Sequence, residues 1–173
     1  MFCPQTRQSM IFDLVGGKVC VIMIKTITEI DYLPDVALVT VNNIPNSPEK
    51  LSAIMNEISD RHITVDMICR TAPYKDKFNL SFTVPQESLA DVIAATAAFK
   101  ALNSDISTDV NGNNTKVILS GAGMRKEYGV AAELFKILAD ENISIKLITT
   151  AETEISCLID IKDIDRVKEL LKQ

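Results

Sequence analysis

The sequence VALVTVNNIPNSPEKLSAIMNEISDRHITVDMI at residues 36–68 shares its pattern of apolar positions with KVILSGAGMRKEYGVAAELFKILADENISIKLI at residues 116–148. In each copy, four apolar residues follow the spacing i, i+3, i+4, i+7, which forms one face of an amphipathic helix. They are Leu51, Ile54, Met55 and Ile58 in the first copy, and Ala131, Leu134, Phe135 and Leu138 in the second. The chain is therefore built from one structural unit that occurs twice.

Each unit predicts the order strand, helix, strand, strand, helix. After the first helix of each copy, apolar residues alternate with polar ones, as in a half-buried strand. In the first unit the elements are expected near 36–43, 48–60, 63–70, 78–84 and 86–99, with a further strand in SDISTDV at 104–110. In the second unit they are expected near 116–122, 129–140, 143–150, 154–160 and 163–172. Ser47, followed by Pro48, predicts the N-cap of the first helix.

The order βαββαβ is that of the ferredoxin-like fold, an antiparallel sheet with both helices on one face. The second unit lacks a closing strand, and we expect the apolar segment from 19 to about 26 to supply it, because a bare sheet edge would otherwise remain. The sequence thus predicts an α+β chain, with a first domain at 36–112 inserted into a second domain made of 19–30 and 113–173. Residues 1–18 are expected to form a separate N-terminal segment, a candidate for disorder.

Length, charge and composition limit the possible functions. The chain has 173 residues, of which 47% are hydrophobic and 24% charged, an ordinary composition for a globular protein with a buried core. Its net charge of −5 argues against nucleic-acid binding, which relies on a basic face. No apolar run approaches the roughly 20 residues that span a bilayer, and the first ten residues do not resemble a signal peptide. We expect a cytoplasmic protein that binds neither nucleic acid nor membrane.

Residues that carry catalytic chemistry give little support for an enzyme. Cys3, Cys20, Cys69 and Cys157 are scattered without a CxxC pair, which favours small apolar residues in a reducing compartment over metal ligands or a disulfide. His62 is the only histidine, which removes most His-dependent catalysis and most zinc sites and favours a polar turn residue. We expect no catalytic residues, no metal and no cofactor.

The segment GAGMRKEYGV at 121–130 places three glycines between a strand and a helix. The spacing does not fit G-x-G-x-x-G, and no Gly-Lys-Ser/Thr follows, so a nucleotide site is disfavoured. Two interpretations stay open. The segment is either a tight structural turn with nothing bound, or a turn that offers free N–H groups and the positive end of a helix dipole to an anionic group.

The segment SGAGMRKEYGVAAELFKILADENISIKLITTAETEISCLID at 120–160 resembles the second ACT domain of aspartate kinase. The first unit is similar to the first ACT domain of that family, including ITVDMI and the strand ending FTVP. The resemblance covers roughly residues 19–173. It implies two ferredoxin-like βαββαβ ACT domains. It also implies a regulatory module that senses an end-product amino acid, lysine or threonine, for feedback control of aspartate-family amino-acid biosynthesis.

The resemblance also implies a ligand shell in each unit. In the second unit the shell contains Met124, Arg125, Glu127, Tyr128, Gly129 and Val130 on the turn, with Thr149, Thr150 and Glu152 on the adjacent strand. In the first unit it contains Asn46, Ser47 and Glu49, faced by Arg70 and Thr71. Arg70 stands where the family often has Gln, which disfavours a cationic ligand there. In the second unit, Glu127, Glu152 and Glu154 favour one.

The amino-acid kinase domain that precedes this region in the family is absent from the sequence. The resemblance therefore implies that this chain is not an enzyme by itself. ATP-dependent phosphorylation of aspartate would belong to a catalytic partner chain or domain, and ACT sheets would form a homodimer. Two alternatives stay open, namely a stand-alone sensor of another small amino acid and a dimerisation scaffold without a ligand.

Overall fold

The computed structural model describes residues 26–171. Its strands are β1 (Glu29–Pro45), β2 (Ile68–Arg70), β3 (Lys77–Pro85), β4 (Ser107–Ser120), β5 (Ile145–Ala151) and β6 (Glu154–Asp160). Its helices are α1 (Pro48–Asp60), α2 (Leu89–Leu102), α3 (Val130–Asp140) and α4 (Ile164–Leu170). Short 3-10 turns at Gln86–Ser88, Ala122–Arg125 and Ile161–Asp163 precede α2, α3 and α4.

The described strands form one antiparallel sheet in the order β2-β3-β1-β4-β6-β5. Strands β1 and β4 are long, and each contributes to both repeated units. Residues 36–45 of β1 pair with β3, whereas residues 29–33 pair with residues 116–120 of β4. The register of the β1–β4 pair shifts between Leu33 and Leu38, where Asp35 adopts a positive φ of 56°. Two shared strands therefore join the units into a single sheet.

The sequence predicted β1 and β4 shorter than they are: β1, expected near 36–43, spans Glu29–Pro45. The strand expected at 104–110 and the strand expected near 116–122 are one continuous strand, β4. The intervening Asn-rich stretch, in which Asn113 has a positive φ of 58°, stays in the strand because the buried Asn114 side chain donates hydrogen bonds to the Val36 carbonyl at 3.1 Å and the Asn111 carbonyl at 2.8 Å. The strand expected from 19 to about 26 lies outside the described residues, apart from Thr26. The proposed domain boundaries stay a prediction.

The first unit matches the predicted element order with one irregular strand. Helix α1 has the predicted bounds, and the Ser47 hydroxyl caps it by accepting a hydrogen bond from the Lys50 N–H at 3.4 Å, which confirms the N-cap prediction. The strand predicted at 63–70 is regular only from Ile68 onward. Just before it, the Met67 N–H bonds to the Thr83 hydroxyl at 2.9 Å instead of a backbone carbonyl, which interrupts the ladder.

Each unit has its own apolar core beneath its own pair of helices. Val39, Ile54, Phe82 and Phe99 lie at the centre of the first core, and Leu119, Leu134, Cys157 and Val167 lie at the centre of the second. A third group, the inter-unit cluster, consists of Val36, Met67 and Leu158 with Leu38 and Leu147 packed against them. Leu158 lies between two residues of the second core along β6, so the cluster forms on the sheet face opposite the helices. It buries apolar surface between the two units.

Candidate functional site

The segment GAGMRKEYGV connects the end of β4 to α3, as the sequence predicted. Gly129 is the N-cap of α3 and has a φ of +89°, a left-handed conformation that favours glycine. No side chain caps this helix, and its first intrahelical bond runs from the Glu133 N–H to the Gly129 carbonyl at 2.9 Å. The N–H groups of the first turn therefore have no intrahelical acceptor and lie at the positive end of the helix dipole.

The three glycines of the segment serve different purposes. A Cβ at Gly121 would lie only 2.0 Å from the carbonyl oxygen of Thr26, so this chain's own backbone occupies the space beside Gly121. A Cβ at Gly123 would meet the Thr26 side chain at 3.4 Å, and a Cβ at Gly129 would meet nothing within 4 Å. The close approach at Gly121 is thus made by the protein itself.

A cleft of about 370 Å³ beside this turn is lined by Met124, Arg125 and Glu152. Arg125 comes from the turn, and Glu152 comes from the short connection between β5 and β6. The Arg125 Nε lies 3.0 Å from the Glu152 Oε2, and both side chains are mostly exposed. An exposed ion pair of this kind contributes only about 0–1 kcal/mol, so a charged ligand can replace either partner at little cost.

The remaining residues that the sequence indicated in the second unit lie on the turn, at the start of α3 or on β5, with different orientations. Val130 is buried in the second core, so only its N–H is available to a ligand. Tyr128 is 97% exposed, and Glu127 is also exposed. Thr150 pairs with a core residue of β6 and shares its face, whereas Thr149, one residue earlier, lies on the opposite face of the sheet. The ligand-binding roles of these residues stay a prediction.

The corresponding turn of the first unit is closed by its own side chains. The Arg70 guanidinium donates to the Asn46 Oδ1 at 2.8 Å and lies over the Phe78 ring, with its central carbon 4.1 Å from the ring centroid. A cation–π contact of this type contributes about 0.5–1 kcal/mol at an exposed site. Arg70 therefore occupies the position that faces the turn.

The other first-unit residues also have partners within the protein. The Ser47 hydroxyl donates to the Glu49 carboxylate, and this bond, with a backbone hydrogen bond at Glu49, lowers the pKa of Glu49 below its usual value. The Thr71 Oγ1 accepts a hydrogen bond from the Asn79 N–H at 2.9 Å. Arg70 is thus bonded to Asn46 and Ser47 to Glu49, whereas the contacts of Thr71 are with Asn79 on β3. The ligand-binding roles of these residues stay a prediction.

Two residues that shape the second-unit cleft were missed from the sequence. The Thr153 carbonyl accepts a hydrogen bond from the Gly121 N–H at 2.9 Å and holds the β5–β6 connection against the turn. Thr26 packs on Gly121 and Gly123 from the other side. Both contacts at Gly121 are made by backbone atoms, which leave no side-chain pattern. A glycine in the turn was the only available signal, and it does not identify the partner.

Within residues 26–171, no group of three or more His, Cys, Asp or Glu side chains is placed to hold a metal ion. Over the same residues, no helix combines the length and the apolar character needed to cross a membrane.

Comparison with known proteins places the duplicated fold and the glycine turn in a family. Residues 117–173 match the family model of the ACT domain. An aspartokinase of Helicobacter pylori is 36% identical over 126 residues, which are 73% of this chain and 31% of that protein. A solved structure of aspartokinase alpha and beta subunits is 30% identical, with a TM-score of 0.74, and the match covers 83% of this chain and 95% of that one. The chain belongs to the aspartokinase family.

Within the aspartokinase family, the chain corresponds to the regulatory part. The ligand-free regulatory subunit of aspartate kinase from Thermus thermophilus has the same fold, with a TM-score of 0.75 at 24% identity over 84% of this chain and 95% of that one. The chain spans about a third of the length of the curated aspartokinases that it matches. The predicted α+β fold with ferredoxin-like ACT units, and the resemblance to the aspartokinase regulatory region, are confirmed.

Proposed function

We propose that this chain is the amino-acid-sensing part of an aspartokinase and that its effector, lysine or threonine, binds in the cleft beside the β4–α3 turn. The observation that carries the proposal is the exposed pair of Arg125 and Glu152, 3.0 Å apart, on and against the turn that leads into the uncapped N-terminus of α3. An α-amino acid is a zwitterion. Arg125 and the helix N–H groups suit its carboxylate, and Glu152 suits its ammonium group.

The acidic side chains near the cleft favour lysine over threonine. Glu127 is exposed on the turn, and Glu154 begins β6, where its carboxylate accepts a hydrogen bond from the Ser156 hydroxyl at 2.8 Å. Once Glu152 holds the α-ammonium group, a second carboxylate remains to attract the side-chain ammonium of lysine. Threonine has no such group. The first-unit turn, occupied by Arg70, is proposed to bind no cationic effector.

The regulatory mechanism follows from the effector's differential affinity for two arrangements of the protein. Phosphorylation of aspartate by ATP takes place on a catalytic partner chain or domain, and effector binding stabilises the arrangement in which that partner is inhibited. A cytoplasmic homodimer that assembles through the ACT sheets fits this role. Edge strand β2 supports such assembly, since it leaves one side unpaired and its Ile68 is 49% exposed.

Isothermal titration calorimetry of the full chain with lysine and threonine tests the proposal. The wild type should bind one of them, and Arg125→Gln and Glu152→Gln should each weaken binding about 10-fold or more, since each removes a charge-assisted hydrogen bond. Arg166→Gln is the matched control, because Arg166 forms a similarly exposed pair with Glu141 away from the cleft. This control should bind like the wild type.

Each alternative function gives a distinct result in the same assay. Binding of a different amino acid, with lysine and threonine silent, would indicate a stand-alone sensor. If none of the twenty amino acids produced heat or a thermal shift, the chain would act as a dimerisation scaffold. At 100 times the dissociation constant, a ligand adds about 2.7 kcal/mol of stability, which a thermal-shift screen detects readily.

A further inference from the structure

Gly121, in the turn that carries one wall of the second-unit cleft, is in tight contact with the residues that lead into β1. Gly121 has a φ of 177°, extended backbone that any residue adopts, so its lack of a side chain is not needed for backbone conformation. A Cβ there would lie 2.0 Å from the carbonyl oxygen of Thr26, 3.0 Å from the Thr26 carbonyl carbon and 3.1 Å from the Cα of Ile27. Glycine is required because the lead-in segment, residues 26–28, lies directly on it.

Hydrogen bonds hold the lead-in segment in this place. The Thr28 N–H donates to the Ser120 carbonyl at 2.8 Å, one residue before Gly121, and the Thr28 hydroxyl donates to the same oxygen at 3.4 Å. These bonds begin the pairing of β1 with the end of β4. The lead-in segment is therefore hydrogen-bonded to the end of β4 as well as packed on Gly121.

On its other side, Gly121 is bonded to both walls of the cleft. Its N–H donates to the Thr153 carbonyl at 2.9 Å, and its carbonyl accepts from the Met124 N–H at 3.1 Å. Thr153 directly follows Glu152, and Met124 directly precedes Arg125. Glu152 and Arg125, the two charged residues that line the cleft, are thus each next in sequence to a residue that is hydrogen-bonded to Gly121.

We propose that Gly121 is a positioning residue that couples occupancy of the effector cleft to the lead-in segment. The inference rests on the proposed function and names the route by which that site is linked to the chain preceding β1. A zwitterion that separates Arg125 from Glu152 shifts the two walls of the cleft, and Gly121 shifts with them. Because close-packed groups have no free space, the Thr26 carbonyl is displaced as well. Coupling is reciprocal, so displacing the Thr26 carbonyl by a change at Gly121 should in turn change effector affinity.

The test compares alanine at three glycines, with effector affinity measured by calorimetry on the full chain. Gly121→Ala forces the Thr26 carbonyl away and should weaken binding about 5-fold or more, the lower end of usual coupling energies. Gly123→Ala meets the Thr26 side chain at 3.4 Å, an ordinary van der Waals distance, and should have a smaller effect. Gly112→Ala is the matched control, since its Cβ would meet only side-chain atoms at 3.4 Å or more and lies outside the turn. It should bind like the wild type.

Hydrogen exchange on the wild type gives a second measurement that does not depend on how Gly121→Ala folds. Saturating effector should change the exchange rate of the Thr28 amide about 3-fold or more. Unchanged Thr28 exchange despite effector binding, or wild-type affinity in a folded Gly121→Ala variant, would overturn the coupling while leaving the proposed function intact. A wild type that binds no amino acid would overturn the proposed function and this inference together.

Discussion

The ammonium group of Lys116 lies 2.7 Å from the carboxylate of Asp66, and this ion pair joins the two repeated units. Lys116 is on β4 among the second-unit strands, whereas Asp66 directly precedes β2 in the first unit. Only 9% of the lysine side chain is exposed, against 48% of the aspartate side chain. The lysine has therefore lost most of its hydration, and the aspartate has kept about half.

This unequal burial predicts unequal effects of removing each partner. Asp66→Asn leaves a buried ammonium group without a counter-charge and should lower the free energy of unfolding by about 1–3 kcal/mol, less than for a fully buried pair because Asp66 is half exposed. Lys116→Met removes the buried charge and leaves a hydrated aspartate, so it should stay within about 1 kcal/mol of the wild type. Urea denaturation followed by circular dichroism measures both changes.

Asp140→Asn is the control for this comparison, because Asp140 pairs with Lys136 at 2.6 Å on an exposed helix face. Its effect on the free energy of unfolding should be the smallest of the three, because both partners stay hydrated. If Lys116→Met destabilised the protein more than Asp66→Asn, the cost of removing the Lys116 charge from water would not dominate the free energy of this ion pair.

Two buried threonines provide a second prediction with an internal control. The Thr83 hydroxyl accepts a hydrogen bond from the Met67 N–H at 2.9 Å, whereas the Thr115 hydroxyl has no hydrogen-bond partner among the described residues. Thr83→Val should lower the free energy of unfolding by about 1–3 kcal/mol, because it leaves the Met67 N–H without that acceptor. Thr115→Val removes an unpartnered buried hydroxyl and should raise it by about 1 kcal/mol.

The same urea titrations measure both variants. The valine side chain has nearly the same shape as that of threonine, so packing is largely preserved. Each variant serves as the control for the other, since both replace a buried hydroxyl on a sheet strand by a methyl group. A loss of stability in Thr115→Val as large as in Thr83→Val would show that the Thr115 hydroxyl has a partner after all.

Apolar periodicity predicted the elements that depend on a local pattern. Helix α1 and strand β6 have the bounds that the sequence indicated, because the first has a capping serine and the second is bounded by turns. The long strands were harder to predict. Residues 110–114 contain three asparagines and a glycine, a composition typical of turns, and distant contacts such as those of Asn114 with Val36 and Lys146 keep β4 continuous there.

The candidate site was predicted only in part, for a related reason. The turn and the helix start at Gly129 follow from local glycine chemistry, so the sequence located them. The convergence of Arg125 with Glu152 depends on where the β5–β6 connection lies in space. The packing of Thr26 on Gly121 is a backbone contact across more than ninety residues, which no single-sequence pattern encodes. Local physics located the turn, and tertiary contacts determined which residues lie against it.

Cys157 provides a prediction for pH dependence. Burial in the second core raises the pKa of its thiol to about 11. The unfolded chain loses this proton from about pH 8.5–9, so between that pH and 11 the unfolded state binds fewer protons than the folded state, and stability falls as pH rises. The full effect is on the order of 2–3 kcal/mol.

Urea denaturation at pH 8, 9.5 and 10.5 should therefore show a shallower decline for Cys157→Ala than for the wild type. The alanine variant starts from a lower stability because it leaves a small cavity, so the slope and not the absolute value is compared. Burial of Tyr32 also raises the pKa of its phenol, and this contribution is common to both proteins. If stability declined with pH at the same rate in both proteins, the pKa of the Cys157 thiol would not be raised in the folded state.

Helices α1 and α3 occupy equivalent places in the two units and end with the same backbone motif. In α1 the Ile63 N–H bonds to the Ile58 carbonyl at 3.2 Å and the His62 N–H to the Ser59 carbonyl at 2.8 Å, the pair of bonds that defines a Schellman motif. The residue at the left-handed position is His62, with a φ of 58°. In α3 the equivalent residue is Asn142, with a φ of 55°.

Glycine should therefore stabilise the first helix end more than the second. A non-glycine residue in the left-handed region costs about 1–2 kcal/mol, and asparagine tolerates it better than histidine. Glycine also increases the entropy of the unfolded chain, and this offsets about 0.4–1 kcal/mol of the stability gained by relieving the strain. His62→Gly should thus raise the free energy of unfolding by about 0.5–1 kcal/mol, and Asn142→Gly should leave it nearly unchanged. Equal effects in urea denaturation would mean that left-handed strain does not distinguish the two residues.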